Sequence, residues 1–421
     1  MGAGGAGGGI DAAETAIFPD WSRLPLDPLL VVMAALEAPD LVRSGAACSS
    51  WRAAYATVRR LRIPTAESPP CLFYPAAGGD PDASTILSPT TGASFRVRLP
   101  DPPLRRRSIH GSGHGWLVAA DEASNLHLVN PLTGNPMYNV YLYESPSSTT
   151  PERLAYAASE LRLYMYFKAV LSCSPCAGSA CVVLLLHQSN GELSFARLGD
   201  EAWTWIGSDE YYEDEVWFDE GYRDAVYNKK DGLFYVLGCG ADIITVDLKG
   251  NSPVVKRIMK DVTNFDDLTK YLVIAPWGDL LQVWRKTDYR SSTTPEVDEW
   301  TVFSDVLVLQ DDSCHELYTK EIQLYKVDID NQQLVRITSL GDYALFLGLN
   351  STMILSTKDF PTFKADSAYL AHDNVADILT YTYSGKEIRV WNFRSGTLGD
   401  VDNVDSWRNW PVPIWITPSI Y

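Results

Sequence analysis

The sequence predicts a mostly β protein. A small N-terminal α-helical segment is followed by a C-terminal β-propeller of about seven blades, with six to eight possible. Three observations carry this prediction. Beyond residue 64, short runs of Val, Leu, Tyr, Phe and Trp alternate with Gly, Asn, Asp and Pro. Similar strand-and-turn segments recur throughout that region, and ~45–50 residues per blade would allow about seven. Ahead of residue 64, apolar residues instead recur at helical spacing.

The helical pattern occupies residues 28–55 and predicts two short helices. Asp27 can cap a first helix that begins at Pro28, and Asp40 can cap a second one after Pro39. The apolar stripes contain, in the first helix, Leu29, Val32, Met33 and Leu36 and, in the second, Leu41, Cys48, Trp51, Tyr55 and Val58. Each of these two short helices is apolar on one face, and the sequence offers no long helix for them to pack against. This predicts a surface that binds another protein, and a helical cap packed on the β region is the alternative.

Four β segments share one shape, in which a strand ends in Asn or Asp and a polar turn follows; they are residues 125–135, 242–251, 322–333 and 387–397. An Asn or Asp at such a corner can accept a backbone hydrogen bond and fix the turn. The stretches ahead of them are interpreted as the partner strands, at residues 113–121, 231–239, 277–285 and 341–350. Repeated meanders of this kind are typical of a propeller, and a large β-sandwich is the structural alternative.

The composition is that of a globular protein, with 421 residues, 46% hydrophobic and 21% charged. The net charge of -18 would repel nucleic-acid phosphates and anionic lipids, and the longest apolar run is far shorter than the ~20 residues of a membrane span. Residues 21–62 differ, because six Arg and three acidic residues give them a net charge of +3. The first nine residues lack the features of a signal peptide, so we expect an intracellular protein, in the cytoplasm or the nucleus, with reduced cysteines.

Residues 20–54 resemble an F-box, whose pattern is a Leu-Pro pair, a leucine-rich helix, an Asp-Leu pair and a Cys ahead of Trp-Arg. The matching residues, in order and spacing, are Leu24, Pro25, Leu29, Leu36, Asp40, Leu41, Cys48, Trp51 and Arg52.

The remainder of the chain resembles a plant family of F-box proteins with a KIB-type β-propeller domain of unknown function. The resemblance rests on seven stretches together, at residues 113–117, 130–134, 195–206, 222–237, 340–350, 356–373 and 413–421. It implies a flexible Gly-rich lead-in, an F-box, a linker and a propeller domain, at residues 1–19, 20–63, 64–70 and 71–421.

The resemblance also implies a function, that of a non-catalytic substrate-recognition subunit of an SCF-type E3 ubiquitin ligase. The F-box would bind a Skp-type adaptor and through it a cullin, and the propeller would bind a target protein that the sequence does not identify. The expected adaptor-binding residues are Leu24, Pro25, Leu29, Val32, Met33, Leu36, Leu41, Cys48 and Trp51. Two alternatives remain open, namely a propeller interaction module whose degenerate F-box binds no adaptor, and a propeller hydrolase.

One cysteine-rich stretch has partial metal-site spacing. Cys173 and Cys176 are two residues apart, with Cys181 and His187 following. A zinc site would also have a second close pair, so a loop followed by a buried strand is the better interpretation. We therefore predict no metal and no cofactor.

Two further motifs are candidates for a catalytic or a recognition site. The Gly-rich stretch with His110, Ser112 and His114 lacks the ending of a phosphate-binding loop and the elbow of a nucleophile, which favours a turn entering a strand. The acidic run 209–220 is interpreted as a solvated loop or a site for a basic partner, with Arg105–Arg107 pairing with it or with solvent. No catalytic residue is predicted, and the C-terminal stretch 411–421 is expected to pack on the propeller.

Overall fold

The computed structural model describes residues 20–76, 80–89, 91–134, 136–140, 162–163, 165–187, 192–206, 221–250, 252–263, 268–291, 315–380, 385–404 and 411–421. The predicted lead-in 1–19 and the acidic run 209–220 lie outside these residues. The chain divides into two compact units, Met1–Glu67 and Ser68–Tyr421.

The first unit contains a short 3₁₀ turn, Trp21–Arg23, and three α-helices: α1 (Leu26–Ala34), α2 (Ala38–Gly45) and α3 (Ser49–Leu61). The first helix begins at Leu26, two residues before the predicted start, and Asp27 lies in its first turn. The second begins at Ala38, so Pro39 and Asp40 both lie in its first turn, and the predicted capping role of Asp40 is wrong. Proline is suited to a first turn because its missing N–H has no helical partner there.

The predicted second stripe is divided between two helices, because Cys48 is extended and precedes α3. Gly45 permits α2 and α3 to approach closely, since a β-carbon at this position would lie 2.8 Å from Cγ of Tyr55. The core of the unit is formed by buried side chains of all three helices, Leu29, Met33, Leu41, Ala54 and Val58.

The second unit is a β-propeller of six blades, one fewer than the predicted count of about seven. Its strands are β1 (Cys71–Pro75), β2 (Ala83–Leu87), β3 (Ser94–Arg98), β4 (Ser108–Gly113), β5 (Trp116–Ala120), β6 (Leu126–Val129), β7 (Pro136–Val140), β8 (Tyr166–Leu171), β9 (Val182–His187), β10 (Leu193–Arg197), β11 (Thr204–Ile206), β12 (Tyr222–Asn228), β13 (Leu233–Gly238), β14 (Ile243–Asp247), β15 (Val254–Met259), β16 (Thr269–Ile274), β17 (Leu280–Ser291), β18 (His315–Asp328), β19 (Gln333–Ile337), β20 (Tyr343–Leu347), β21 (Met353–Ser356), β22 (Ser367–Ala371), β23 (Ile388–Asn392), β24 (Thr397–Asp400) and β25 (Ile414–Ile416). A short helix, α4 (Val375–Thr380), follows β22. The blades exceed the usual ~45–50 residues partly because β17 and β18 have 12 and 14 residues.

Five sheets have four strands, and the sixth has five in the order β21-β20-β22-β23-β24. Each of the six interfaces between neighbouring sheets contains its own cluster of buried apolar side chains. The predicted propeller with both faces of each sheet buried is therefore confirmed, and the β-sandwich alternative is excluded.

All four predicted hairpins with an Asn or Asp corner are present, as the pairs β6–β7, β14–β15, β18–β19 and β23–β24. In each, the corner side chain accepts a backbone N–H two or three residues ahead; these acceptors are Asn130, Asp247, Asp328 and Asn392. Three of the four predicted partner strands are also correct, as β5, β13 and β17. The fourth is wrong, because β20 pairs in parallel with β22, which separates it from β23.

The C-terminal stretch packs on the propeller, as predicted, and it also closes the ring. Strand β25 pairs antiparallel with β1 and so supplies the inner strand of the first blade. Ile414, Trp415, Ile416 and Ile420 are buried. Trp415 contacts Phe346 of the last blade, with 5.2 Å between ring centroids. In the described part of the chain, no helix is both long and apolar enough to cross a membrane.

Candidate functional site

The nine predicted adaptor-binding residues fall into three groups by exposure. The buried ones are Leu29, Met33 and Leu41. The half-buried ones are Leu24, Leu36, Cys48 and Trp51. The exposed ones are Pro25 and Val32. Because the first group forms the core of the helical unit itself, any partner would contact mainly the other six.

Sequence reasoning missed several exposed apolar side chains of the same unit. They are Trp21, Leu26, Val31 and Leu61. The signal that would have found them is weak, because they lie outside the apolar stripes. Large apolar side chains that remain exposed beside a filled core are typical of a binding surface.

The turn Trp21–Arg23 is held against α3 by two hydrogen bonds. The indole N–H of Trp51 donates to the Trp21 carbonyl at 3.1 Å, and the Ser50 hydroxyl donates to the Ser22 carbonyl at 2.9 Å. Exposed arginines give this unit its positive charge; Arg23 and Arg43 pair with Asp20 and Asp40 in solvent. Such exposed pairs contribute little to stability, so the unit depends on its small apolar core.

The centre of the propeller contains a network of polar groups around residues 348–352. Lys168 of β8 forms an ion pair with Asp224 of β12 at 2.8 Å, and both side chains are almost fully buried. The other carboxylate oxygen of Asp224 accepts from the Thr352 hydroxyl at 3.1 Å. The Ser351 backbone N–H donates to the Ser112 carbonyl of β4 at 2.8 Å. Lys168 Nζ also donates to the Gly348 carbonyl at 3.4 Å. Residues 348–352 thus bond to inner strands of three other blades, β4, β8 and β12.

A second buried network surrounds Arg285 of β17. Its guanidinium donates to Asp373 at 2.9 Å, to the Thr319 hydroxyl at 2.7 Å and to Glu387. The Tyr271 hydroxyl also donates to Asp373, at 2.8 Å. These bonds link the long β17–β18 hairpin to Asp373 and Glu387. The charged groups of this network therefore pair with one another.

A neighbouring group consists of His372, Asp377 and Lys386, all buried. Asp377 Oδ2 lies 3.0 Å from His372 Nε2 and 3.1 Å from Lys386 Nζ. Burial acts to raise the pKa of Asp377, but the hydrogen bond from His372 and the charge of Lys386 outweigh it and lower that pKa. No sequence signal identified the Arg285 network, because its members are far apart in the chain. The members of the His372 group are close in sequence, but they match no recognised motif.

A family model described as the KIB1-4 beta-propeller matches residues 86–392. The chain belongs to the KIB1-4 beta-propeller family. This confirms the resemblance found in the sequence.

Relatives of this KIB1-4 propeller protein in Arabidopsis thaliana carry F-box names. "F-box protein SKIP23" is 25% identical over 425 residues, covering 94% of this chain and 96% of that protein. "F-box protein At2g17036" is 23% identical over 431 residues, covering 95% of each. Both alignments include the helical unit as well as the propeller.

Solved structures with similar folds are more distant. A putative 6-phosphogluconolactonase from Bacteroides uniformis gives a TM-score of 0.39 at 12% identity, covering 83% of this chain and 100% of that one. The periplasmic gluconolactonase of Pseudomonas aeruginosa gives 0.33 at 11% identity, covering 81% and 82%.

The cysteine-rich stretch of the KIB1-4 propeller forms a connection and a buried strand. The Cys181 thiol donates to the Cys173 carbonyl at 3.2 Å. His187 lies on β9 with Nε2 3.0 Å from the Ser194 hydroxyl, and burial lowers its pKa to about 4. Among the residues that the structure describes, no three His, Cys, Asp or Glu side chains are grouped so as to hold a metal ion.

The Gly-rich stretch forms the inner strand β4 and the turn after it. His110 contacts the Ser108 hydroxyl at 2.8 Å, and burial lowers the pKa of His110 to about 3. The Ser112 hydroxyl donates to the Trp415 carbonyl at 2.5 Å. The Ser112 bond links the inner strands β4 and β25, whereas the His110 contact lies within β4 itself.

The three consecutive arginines differ from the prediction. Arg107 is buried and donates to the carbonyls of Pro100 and Pro102, so it faces neither solvent nor an acidic loop. Arg105 donates to the Ala76 carbonyl, and Arg106 pairs with Glu122. Because a guanidinium presents several N–H groups, backbone carbonyls can accept from some of them where carboxylates are absent. Arg107 Nη1 and Arg105 Nε have no hydrogen-bond partner among the described residues.

Proposed function

We propose that this chain is the substrate-recognition subunit of an SCF-type E3 ubiquitin ligase. In this proposal the helical unit binds a Skp-type adaptor and through it a cullin, and the six-bladed propeller binds a target protein. The chain performs no chemistry itself. It accelerates ubiquitin transfer by raising the target's effective concentration near the charged enzyme. Such machinery places the protein in the cytoplasm or nucleus.

One observation carries the proposal, the exposed apolar surface of the helical unit. Val31 is 73% exposed, Trp21 59%, Leu26 46% and Val32 38%, although the unit has its own filled core. Leaving such side chains in water forgoes ~25 cal/mol per Å² of apolar surface, so a partner that covers them would bind favourably. The F-box names of relatives that align over the same region support an adaptor as that partner.

Charge supports the same partner. Residues 21–62 carry a net charge of +3 while the whole chain carries -18. The resemblance implies an acidic adaptor, which this unit would attract and the rest of the chain would repel. Such complementarity orients the encounter more than it adds affinity.

The test measures binding of a purified Skp-type adaptor to the full chain by calorimetry. Val31→Glu with Val32→Glu places two charges in the proposed interface and should weaken binding at least tenfold, about 1.4 kcal/mol or more. Trp51→Ala should also weaken it, although Trp51 supports the Trp21 turn as well. Ala53→Glu with Ala56→Glu, at exposed positions of α3, is the matched control.

The expected result is adaptor binding by the wild type and the control, and its loss in the Val31 and Val32 variant. Absence of binding by the wild type would instead support the degenerate F-box alternative. Equal loss in both double variants would show that charge in general, and not this surface, governs the association.

A further inference from the structure

The structure carries a second candidate interface, on the propeller, around the turn that joins β16 to β17. This turn presents Trp277, which is 44% exposed. The backbone N–H of Gly278 closes the turn on the Ala275 carbonyl at 2.8 Å, and Gly278 adopts a φ of +99°. That left-handed conformation favours glycine, so the turn has one well-defined shape.

Trp277 is held in place although it is exposed. Its indole N–H donates to Asp279 Oδ2 at 2.9 Å. Its ring packs on Tyr343 of β20, with 4.8 Å between centroids and a tilt of 56°. Another exposed apolar residue, Ile329, lies on the β18–β19 turn at the same end of the same blade. A fixed aromatic side chain loses little entropy on binding, which makes it an effective anchor.

The β12–β13 turn of the neighbouring blade carries two consecutive lysines, one of which adjoins this anchor. Nζ of Lys230, on the β12–β13 turn, lies 3.3 Å from where a β-carbon of Gly278 would be. The same turn carries Lys229, whose charge, after burial, helps to lower the pKa of His114 to about 4. The turn is fixed because the Asn228 side chain accepts from the Lys230 backbone N–H at 3.0 Å.

These two lysines are available to a partner. Neither forms an ion pair with any residue that the structure describes, and both are exposed. The carboxylates beside the aromatic rings are already neutralised, since Asp279 pairs with Lys326 and Asp342 with Lys358. Asp231 is turned back onto its own hairpin, where it accepts from Asn228 and Tyr235.

We propose that Trp277, Tyr343, Lys229 and Lys230 form a docking surface for an acidic segment of a target protein that carries an aromatic or large apolar side chain. This inference rests on the proposed function and specifies the face that holds the target. The apolar side chain packs on Trp277, and carboxylates of the segment pair with the two lysines. The overall charge of -18 does not prevent this, because ionic strength screens distant charges beyond ~8 Å.

Residues 348–352 do not add to this surface, because they bond to inner strands of other blades and Asn350 is fully buried. The observations favour a protein over a nucleic acid, because the exposed Trp277 ring offers a contact for an apolar side chain, whereas two lysines can neutralise only two phosphates of a polyanion.

The test measures binding of three fluorescent probes to the full chain by anisotropy. The probes are a 12-residue peptide of Glu and Asp with two Phe, the same peptide with Lys for each acid, and a 12-nucleotide single-stranded RNA. We expect saturable binding of the acidic peptide that weakens as salt is raised. Lys229→Glu with Lys230→Glu, and separately Trp277→Ala, should each weaken it about tenfold or more. Trp277→Phe should retain most of it.

The matched control is Lys256→Glu with Lys260→Glu, which makes the same charge change at exposed positions of the same blade, and it should alter binding less than about twofold. Thermal unfolding of every variant checks that the propeller is intact. No saturable binding of the acidic peptide, equal loss in the control, or tighter binding of the basic peptide or the RNA would each overturn the proposal.

The adaptor measurement on the same samples separates this proposal from the previous one. If the acidic peptide binds while the adaptor does not, the docking surface stands and the ligase function fails. If the adaptor binds while the peptide does not, the ligase function stands and this surface fails.

Discussion

The helical unit and the propeller bury their apolar side chains in different ways. The helical unit has one small core and leaves Trp21, Leu26 and Val31 exposed. The propeller repeats an apolar interface between every pair of neighbouring sheets and adds buried ion pairs such as Lys168–Asp224. Because a few tens of residues bury too little surface for independent stability, the smaller unit is the more dependent on a partner.

The largest expected effect is on the buried ions of the propeller. Arg285→Met would leave Asp373 and Glu387 buried without their cation, which should cost about 3–5 kcal/mol in the free energy of unfolding. Urea unfolding followed by tryptophan fluorescence measures it. Arg290→Met is the control, because Arg290 lies on the same strand and pairs with Glu316 near solvent, a pair worth at most about 1 kcal/mol. Similar losses of unfolding free energy in the two variants would contradict the conclusion that the buried Arg285 pairs are more costly to break than the exposed Arg290 pair.

The next effect concerns the helical unit. Leu41→Ala removes a fully buried side chain and should cost about 2–5 kcal/mol, a large part of the stability of so small a unit. Hydrogen exchange should then show rapid exchange in α1–α3 and unchanged protection in the propeller. Val31→Ala, at an exposed position, should change stability by less than about 0.5 kcal/mol. Loss of protection in the propeller as well would mean that the two units unfold together.

The smallest effect is a pH dependence within the propeller. Burial, followed by the neighbouring charge of Asp261, raises the pKa of Asp242 to about 6. A carboxyl with a raised native pKa favours folding below its unfolded pKa of ~3.9, and this contribution is lost as the pH rises through 6. Asp242→Asn should therefore stabilise the protein at pH 7.5, by about 1–3 kcal/mol, and much less at pH 4.

Thermal unfolding between pH 4 and 7.5 checks this, with Asp330→Asn at an exposed position as the control. The comparison is between variant and wild type at each pH, because three neutral histidines, His110, His114 and His187, change overall stability over the same range. A constant difference between Asp242→Asn and wild type would show that ionisation of Asp242 is not the cause.

The features that the sequence predicted well are local. The corner residues Asn130, Asp247, Asp328 and Asn392 bond to their own turns, so each could be recognised within a few positions. The blade count could not be recognised in this way, because long strands and the inserted strand β20 alter the length of the repeat. Helical periodicity identified the buried face of the first unit, but periodicity alone does not distinguish a unit's own core from a docking surface.

The buried networks were beyond sequence reasoning for a different reason. Arg285 and Glu387 are 102 residues apart, and only the arrangement of blades brings them together. The docking surface around Trp277 likewise joins turns of separate blades. In the sequence each of these residues belongs to an ordinary strand or turn.

The pairing of β25 with β1 has a consequence for protein synthesis. Leu72 leaves the ribosome long before its partner Trp415, because the two residues are far apart in the chain. At a synthesis rate of ~5–20 residues per second, the inner edge of the first blade remains unpaired for tens of seconds until β25 has been made. Until then the nascent chain exposes an unpaired strand edge, a template for misassembly that chaperones would cover. A chain that stops before Ile414 would lack the partner strand of β1 and would leave that edge permanently unpaired.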